Sequence, residues 1–575
     1  IAMLVRRASG VPARATPFPE FGCRAAFHFS LSSFHSHMFT KQFFGKTAWV
    51  TVAVVAAVHT LAIPLLHANT ASIVALGVIG LATAVVSWRS LPIGLLVAFA
   101  EIFVGGHGHL IQADVGGFGA SIRIVIFAAV MAVWGIRLLQ RRVTPQFVLF
   151  RDVSFLLLAA AVLIGTVVGF VRNSAGNAFD DMNSYLTIAY LLPLVSVAWD
   201  QKFKRQLLQV LTGSVAWIAV STLTLVYLFT HLPGKALHAV YAFVRDSRLA
   251  EVTLLTDPQW FVSLLPSASP WYFRVFEPAH FFVLVLGALL VAARFVLWRG
   301  QKLPTGAKVL FVLCAATFVA SLSRSFVIGF LGGGVVLLVA LAIESRGHLL
   351  RAVRQSAGLI VLTMIGAVVF WAVITVPVPS HPDLRDAAFY QEKTDDNRTL
   401  AVSSRWNLLR PMFTAIMESP VIGNGFGKEV TFISDDPRVR AINANGEWTT
   451  YRFEWGYQDI WLKMGLLGLV AFIAYAIVLT HAFLFTFRTH DNRWLAAGMY
   501  VAIVTLFATH LFSPYLNHPI GLGTMLFVLP FFDWKGTRDA MAAQEKARVK
   551  LWYNLQHESL RASHTESVLA TSRKA

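Results

Sequence analysis

Four arginines stand at the ends of apolar segments or in the long polar stretch between two of them. A single arginine in such a position is most often structural, but four at a similar depth indicate a site for an anionic substrate. Arginine suits this role because its planar guanidinium binds phosphate through two parallel N–H···O contacts. A lipid diphosphate is the natural candidate ligand. The four residues are Arg123, Arg274, Arg324 and Arg405.

A carboxylate with aromatic neighbours follows Arg405 in the sequence. Glu454 could accept a proton from a sugar hydroxyl, and Trp455 and Tyr457 could stack on sugar rings. The alternative interpretation is an aromatic belt at a membrane interface beside an ordinary solvated glutamate. Lys463 lies about two turns into the next apolar segment, where a charged side chain is expected to be functional, paired or snorkelling.

Glycines alternate in the segment between Arg405 and Glu454, at Gly423, Gly425 and Gly427. This spacing allows close approach of the backbone to a ligand, and free N–H groups there would suit an anion. The alternative is a glycine-rich turn without a ligand.

Acidic pairs occur at residues 180–181, 395–396 and 435–436. Oxygen-rich pairs can hold a divalent cation, but in polar loops they are more often solvated charge. The two cysteines, Cys23 and Cys314, have no metal-binding spacing. We therefore expect no metal site, and the sequence has no nucleotide-binding glycine loop that would imply a cofactor.

The composition indicates a membrane protein. Of the 575 residues, 56% are hydrophobic and 14% are charged, with a mean hydropathy of +0.63, whereas soluble domains carry about 25% charged residues. The net charge of +18 would suggest nucleic acid binding in a soluble protein. No basic face with interleaved aromatics occurs in a soluble segment, so we expect no nucleic acid partner.

Apolar helices must therefore position the candidate residues. Apolar runs long enough to cross about 30 Å of hydrocarbon recur along the chain. They predict an all-α polytopic membrane protein with about 14 transmembrane helices, some of them short enough to be re-entrant. The predicted spans are 47–66, 71–88, 91–105, 121–139, 153–171, 184–199, 207–230, 275–297, 307–322, 325–344, 357–377, 457–486, 494–512 and 519–533.

The basic residues predict an orientation. If the N-terminus is cytoplasmic, the short outer connections hold only Arg123, Arg172 and Arg324, as the positive-inside rule requires. Both termini are then cytoplasmic. The short inner connections hold Arg89, Arg137, Arg141, Arg142, Arg151, Lys202, Lys204, Arg205, Arg299, Lys302, Lys308, Arg346, Arg351, Arg354, Arg488 and Arg493.

The predicted organisation is a membrane domain over residues 47–533 between cytoplasmic tails at 1–46 and 534–575. Part of the first tail can lie upstream of the true start. Long outer loops are predicted at 231–273 and at 378–456, the second between the eleventh and twelfth spans. Loops longer than about 15 residues are usually functional or disordered, and we expect the active site in the second.

Within this second loop, apolar residues recur at helical spacing after Arg405. The pattern predicts a helix that lies along the membrane surface and ends at Pro420. The apolar residues are Leu408, Leu409, Met412, Phe413 and Ile416.

Three segments of the chain resemble the O-antigen ligase and polymerase family of bacterial envelope glycan enzymes. Their order, and the long outer loop between the second and the third, make the resemblance specific. Together they span roughly residues 270–530. The segments are SLSRSFVIGFLGGG at 321–334, the stretch from Arg405 through PVIGNGFG at 405–427, and WGYQDIWLKMGLLGL at 455–469.

The resemblance implies a GT-C-like membrane glycosyltransferase in the bacterial cytoplasmic membrane. Such enzymes move a glycan from a polyprenyl-diphosphate carrier to an acceptor on the outer face. The acceptor is lipid A–core in ligases, which complete lipopolysaccharide, another repeat unit in polymerases, and a protein in related members. The resemblance also implies a metal-independent, inverting transfer in which arginines hold the diphosphate and a base activates the acceptor hydroxyl. Arg274, Arg324 and Arg405 match arginines of the family pattern, and Arg123 is added from its depth alone.

The sequence departs from the family at one position. The family usually has a His-Asn pair before the final Leu-x-x-x-Gly-Leu-Leu-Gly run, and these positions are Glu454 and Trp455 here. No histidine occurs within 382–480. Either Glu454 is the base, or the base lies elsewhere, or the protein is not catalytic in the usual way. We predict that Glu454 and Arg405 are catalytic and that Trp455 and Tyr457 contact the acceptor sugar.

Two other functions fit the same residues. A transporter or flippase for a lipid-linked or anionic solute would use the arginines together with Glu101, Glu277 and Lys463 inside the membrane. A non-catalytic membrane scaffold would explain the missing histidine.

The predicted partners of the enzyme are a polyprenyl-diphosphate-linked glycan, a glycan or lipid acceptor, and membrane lipids.

Overall fold

The computed structural model describes residues 41–145, 153–232, 234–255, 272–294, 303–344, 349–377, 395–490, 493–547 and 549. Of the predicted N-terminal tail, only residues 41–46 are described. Of the predicted C-terminal tail, residues 534–547 and 549 are described, and the rest of both tails lies outside the described residues. In the described part the chain is mostly α-helical. The helices are α1 Lys46–Leu65, α2 Asn69–Arg89, α3 Leu91–Val104, α4 Ile122–Leu139, α5 Val153–Arg172, α6 Ala175–Met182, α7 Leu191–Leu194, α8 Gln201–His231, α9 Gly234–Asp246, α10 His280–Ala292, α11 Thr305–Ser321, α12 Arg324–Glu344, α13 Leu349–Thr375, α14 Asp395–Glu418, α15 Pro437–Ile442, α16 Gly456–Thr489, α17 Arg493–His510 and α18 Pro519–Val528.

Seven of these helices are long and apolar enough to cross a membrane, namely α1, α2, α4, α5, α8, α16 and the part of α13 from residue 356 to 375. Shorter apolar helices are α3, α10, α11, most of α12, and α18 together with the 3-10 turn that follows it. The prediction of a multi-pass α-helical membrane protein is confirmed. The count of fourteen spans stays a prediction.

Two predicted spans differ locally from continuous helices. The run at 184–199 forms a 3-10 helix over Asn183–Tyr190 followed by the four-residue helix α7. The run at 275–297 begins inside a strand and becomes helical only at His280. Hydropathy measures how apolar a segment is, but it does not measure whether the backbone stays helical, so both runs scored as spans.

The described strands form three antiparallel pairs in the connections between helices. The outer loop predicted at 231–273 contains α9 and β3, and β3 pairs with the strand before α10 so that Thr253 faces Arg274. The loop predicted at 378–456 contains α14, a hairpin and α15, while its residues 378–394 lie outside the described part. The strands are β1 Gln112–Val115, β2 Phe118–Ser121, β3 Glu251–Leu255, β4 Tyr272–Phe276, β5 Val430–Ile433 and β6 Glu447–Thr450.

Glycines allow close approach of helices in the packed region. A Cβ atom added at Gly329 or Gly333 of α12 would overlap the hydroxyl of Thr509 or Thr505 on α17. Membrane helices associate through such small residues because hydrocarbon supplies no hydrophobic drive between them. The pairing of α12 with α17 brings the N-terminal end of α12 close to the segment that follows α17.

Helix α16 is interrupted in its N-terminal third. Gly465 has φ 64° and ψ −166°, values that only glycine adopts readily. The break frees backbone groups of the helix for other partners, and the glycine segment described next supplies them.

Candidate functional site

The glycine segment, residues 419–427, is inserted between α5 and the broken part of α16. The amides of Leu466 and Leu467 donate to the carbonyl oxygens of Pro420 (2.9 Å) and Val421 (3.4 Å). The amide of Phe426 donates to the carbonyl of Gly165 on α5 (3.0 Å). The segment therefore replaces the helical hydrogen bonds that α16 loses at its break.

Of the two interpretations of the three glycines, the turn without a ligand is observed, because every one of their N–H groups has a protein acceptor. Glycine is needed here for close backbone packing at positive φ rather than for a ligand. The amide of Gly423 donates to the carbonyl of Ser419 (2.9 Å), that of Gly425 to the carbonyl of Lys463 (3.0 Å), and that of Gly427 to a carboxylate oxygen of Asp181 (2.8 Å).

Replacing Gly425 by alanine is expected to destabilise the folded protein by about 1–3 kcal/mol through overpacking, with added strain because its φ is 82°. An added Cβ would overlap the backbone of Gly169 on α5. Thermal melting of the detergent-purified protein measures the effect. Gly135→Ala is the matched control, since nothing lies within 4 Å of a Cβ at that position. Equal melting temperatures for the two variants would contradict this packing role.

A buried network of charges holds the glycine segment and α16 together. The Lys463 ammonium lies 2.7 Å from Asp181 and 2.7 Å from Asp459, and all three side chains are nearly inaccessible to solvent. Asn517 donates to Asp459, and the Tyr185 hydroxyl donates to Asn517 (2.8 Å). The sequence left three interpretations of Lys463, namely a functional, a paired or a snorkelling side chain. The structure shows it paired.

Three of the acids weighed as metal ligands have cationic or amide partners. Asp181 binds Lys463, and Asp180 lies 3.7 Å from Arg452. Asp435 accepts from Arg440 (2.7 Å) and from an asparagine amide (2.9 Å). Among the described residues no group of three or more His, Cys, Asp and Glu side chains could hold a metal ion.

Arg405 and Glu454, the two predicted catalytic residues, form an ion pair. They come from the middle of α14 and from the residues just before α16. A second contact joins these elements, because the Trp455 indole donates to the Arg405 carbonyl (2.9 Å). Both charged side chains are partly exposed, at 40% and 49%. A carboxylate and a guanidinium that remain open to solvent can both reach a ligand.

The two aromatic residues proposed to contact sugar differ from this exposed pair. Trp455 is buried. Its ring packs edge-on against Trp406 (4.9 Å between ring centroids) and in a tilted arrangement against Phe512 (5.5 Å). The Tyr457 hydroxyl donates to the carbonyl of Phe507 on α17 (2.8 Å). Their role as sugar contacts stays a prediction. Trp406, which packs on Trp455, is exposed.

Arg274 and Arg324 belong to the same corner of the structure. Arg274 is buried on β4, where its Nε donates to the carbonyl of Ser321 at the end of α11 (2.7 Å) and its guanidinium lies 4.8 Å from the centre of the Phe276 ring. Arg324 begins α12 three residues after Ser321 and is exposed. The buried Arg274 therefore lies next to the start of α12, where the exposed Arg324 is located.

Arg123 has an internal carboxylate partner. Its Nε contacts both oxygens of Glu101 (2.9 and 3.0 Å), and its Nη2 donates to the carbonyl of Gly106 (3.0 Å). In the same turn, loss of hydrating water and the positive charge of Arg123 and two other arginines lower the pKa of His107 to about 4. This ring is thus neutral at physiological pH, because burial and the neighbouring arginines both disfavour its protonated form.

Residues 510–519, which run from the last residue of α17 to the first residue of α18, contact the surroundings of all four arginines. Phe512 packs on Trp455, which is bonded to Arg405. The other contacts run from Tyr515 to Phe326, two residues after Arg324 (5.6 Å between centroids), from the Tyr515 hydroxyl to the Pro278 carbonyl, four residues after Arg274 (3.2 Å), and from His518 to His107 beside Arg123 (5.7 Å between centroids).

Sequence reasoning missed this connecting segment because it lies in the short gap between two predicted spans. A usable signal was present, since HLFSPYLNHP places two histidines, a tyrosine and an asparagine in ten residues of an otherwise apolar region. Polar side chains at such a position in a membrane protein need partners or a function.

The acids proposed for a transporter also have internal partners. Glu277 is buried and accepts from the Thr222 hydroxyl (3.2 Å), which lies 2.8 Å from Nε2 of His280. Glu101 binds Arg123. These contacts stabilise the packed helices.

Comparison with known proteins gives one match. The family model described as O-antigen ligase matches residues 309–473, a region shorter than half of the chain that contains Arg324, Arg405, Glu454 and Lys463. The resemblance stated from the three segments is confirmed by this match. No curated protein and no solved structure matches the chain.

Proposed function

We propose, on the premise that residues 309–473 are an O-antigen ligase domain, that this protein transfers a glycan from a polyprenyl-diphosphate carrier to an acceptor hydroxyl. The observation that carries the proposal is the partly exposed Arg405–Glu454 ion pair inside the matched region. We place the reaction at the outer face of the bacterial cytoplasmic membrane, with both termini in the cytoplasm, because the distribution of basic residues favours this orientation.

The arginines would bind the diphosphate and neutralise the charge that develops on it as it leaves. Arg324 and Arg405 are the members with exposed or partly exposed side chains, so they would make the first contacts. Arg274 is buried and Arg123 is bound to Glu101, so they would act at longer range through their positive charge. In this scheme arginines supply the positive charge, and the transfer is metal-independent.

Glu454 would act as the general base. In the structure its carboxylate is paired with Arg405, and a diphosphate that competes for Arg405 would release it. The carboxylate then accepts the proton of the acceptor hydroxyl while that oxygen bonds to the anomeric carbon. The bond from this carbon to the diphosphate breaks on the opposite side, so the configuration inverts.

Arg324→Ala is expected to lower the rate of transfer about 10- to 100-fold, the loss of one hydrogen bond to a charged group, with little change in melting temperature because the side chain is exposed. The assay is transfer of the native carrier-linked glycan by the purified protein in liposomes. Arg354→Ala, an equally exposed arginine on α13, is the control and should keep full activity. Full activity of Arg324→Ala would remove this residue from the site.

A deletion strain would separate ligase from polymerase activity. Loss of a polymerase leaves single repeats, whereas loss of a ligase leaves carrier-linked polymer. Uptake or flipping of the carrier-linked glycan in liposomes without covalent change would instead support the transporter.

A further inference from the structure

Helix α14 presents three different faces along its second half. The face formed by Leu408, Met412 and Ile416 is buried against Phe453 and Trp455. The prediction that these residues lie along the membrane surface is therefore wrong for this face, because they fill the core of the outer loop. Phe413, from the same predicted set, points elsewhere and is 53% exposed.

The exposed part of α14 divides into an apolar edge and a polar edge. The apolar edge consists of Trp406, Phe413 and Met417, which recur at intervals of seven and four residues and so line one side of the helix for about 16 Å. The polar edge, about a quarter turn away, consists of Asn407, Arg410, Thr414 and Glu418. Arg410, Thr414 and Glu418 line a cavity open to solvent.

The apolar edge continues into the lipid-facing side of α16. Val421 and Ile422 follow α14 and are exposed, and the amide of Leu466 on α16 donates to the Pro420 carbonyl beside them. Further along α16 the exposed residues on this side are apolar. They are Leu466, Val470, Ile473 and Ile477. Since α16 is long and apolar enough to cross a membrane, this side of it faces acyl chains.

Aromatic rings accompany the junction between the two helices. Trp461 lies edge-on to Phe413 (6.2 Å between ring centroids), and its indole donates to the Pro420 carbonyl (2.9 Å). Trp406 lies one residue after Arg405 and packs on Trp455. Tryptophan is enriched at the level of lipid headgroups because its ring is apolar and its N–H is polar.

We propose that α14 lies in the plane of the bilayer with Trp406, Phe413 and Met417 inserted among the lipids, and that Arg405 and Glu454 consequently lie at headgroup level. In the orientation proposed above, the lipids are those of the outer leaflet. This inference stands on the continuity of the exposed apolar surface and does not depend on the transfer chemistry. It explains how a diphosphate anchored by a lipid tail would meet Arg405 without leaving the membrane.

Spin labels on single cysteines test the depth of α14. In a Cys23→Ser, Cys314→Ala background, nitroxides are attached at Phe413→Cys and Met417→Cys on the apolar edge. Asn407→Cys and Thr414→Cys on the polar edge of the same helix are the matched controls. The full chain is reconstituted in phosphatidylethanolamine–phosphatidylglycerol vesicles, and collision with oxygen, which concentrates in lipid, is compared with collision with a water-soluble nickel chelate.

The expected result is an oxygen-to-nickel collision ratio several-fold higher at 413 and 417 than at 407 and 414. Equal ratios on the two edges would overturn the proposal, because they would place the apolar edge in water. Labels at 413 and 417 that are shielded from both reagents would also overturn it, because a second copy or another protein would then cover the edge. Two positions on each edge keep the comparison intact if one variant fails to fold.

Discussion

Replacing Glu454 by glutamine should lower the rate of glycan transfer by about 10²- to 10⁴-fold, the usual contribution of a positioned general base. Glutamine has nearly the same shape as glutamate but cannot take up the proton of the acceptor hydroxyl. Binding of the carrier-linked glycan should persist, because Arg405 keeps its charge. The measurement is single-turnover transfer in liposomes, together with binding of the donor to the same preparation.

Glu447→Gln is the control for this experiment, since Glu447 is an exposed carboxylate on β6, in the same connection between α13 and α16. It should leave both transfer and binding unchanged. The Arg405–Glu454 ion pair is exposed and is worth little to stability, so a loss of folded protein should not confuse the result. If Glu454→Gln retained full activity, the base would lie elsewhere and the assignment of Glu454 would fail.

Replacing Lys463 by methionine should destabilise the protein by about 3–5 kcal/mol, because removing one member of a buried ion pair leaves a charge unpaired in an apolar interior. Here two carboxylates, Asp181 and Asp459, lose their shared partner. The glycine segment should loosen as well, since Asp181 also accepts the Gly427 amide. Thermal melting in detergent and the yield of folded protein from membranes both measure the effect.

Lys428→Met supplies the matched control for this variant. Lys428 lies in the loop just after the glycine segment and pairs with Glu418 at 2.6 Å, but the pair is partly exposed and should contribute at most about 1 kcal/mol. Adding Asp459→Asn to Lys463→Met should recover part of the stability by removing one unpaired charge. Equal melting of the two lysine variants would mean that the buried network contributes no more than a surface pair.

The helices were largely predictable from the sequence because crossing hydrocarbon is a local requirement. A segment such as residues 153–171 must be apolar over its whole length, and the observed helix ends at Arg172, one residue beyond the predicted end. Hydropathy failed where the backbone departs from a helix, as in the 3-10 turn before α7, because an apolar segment can be buried in protein in any conformation.

The candidate site was predicted unevenly. The residue types and family motifs indicated Arg405 and Glu454, and the structure places them in contact. The same reasoning left open whether the glycines bind an anion or form a turn without a ligand, because sequence spacing shows that the backbone can approach something closely but not what it approaches. In the structure that neighbour is the backbone of α5 and α16.

The sequence by itself determined that this is a multi-pass helical membrane protein with an O-antigen ligase-like region, since apolar length and short motifs are local properties. Only the tertiary structure decided which polar groups meet inside it. Lys463 binds Asp181 from 282 positions away, and Arg123 binds Glu101 across a turn and a hairpin. An unpaired charge in an apolar interior destabilises the folded protein by several kcal/mol, so a buried charge needs a partner. Judged from the sequence, several carboxylates could equally well be that partner, and the packing of the helices determines which one makes the contact.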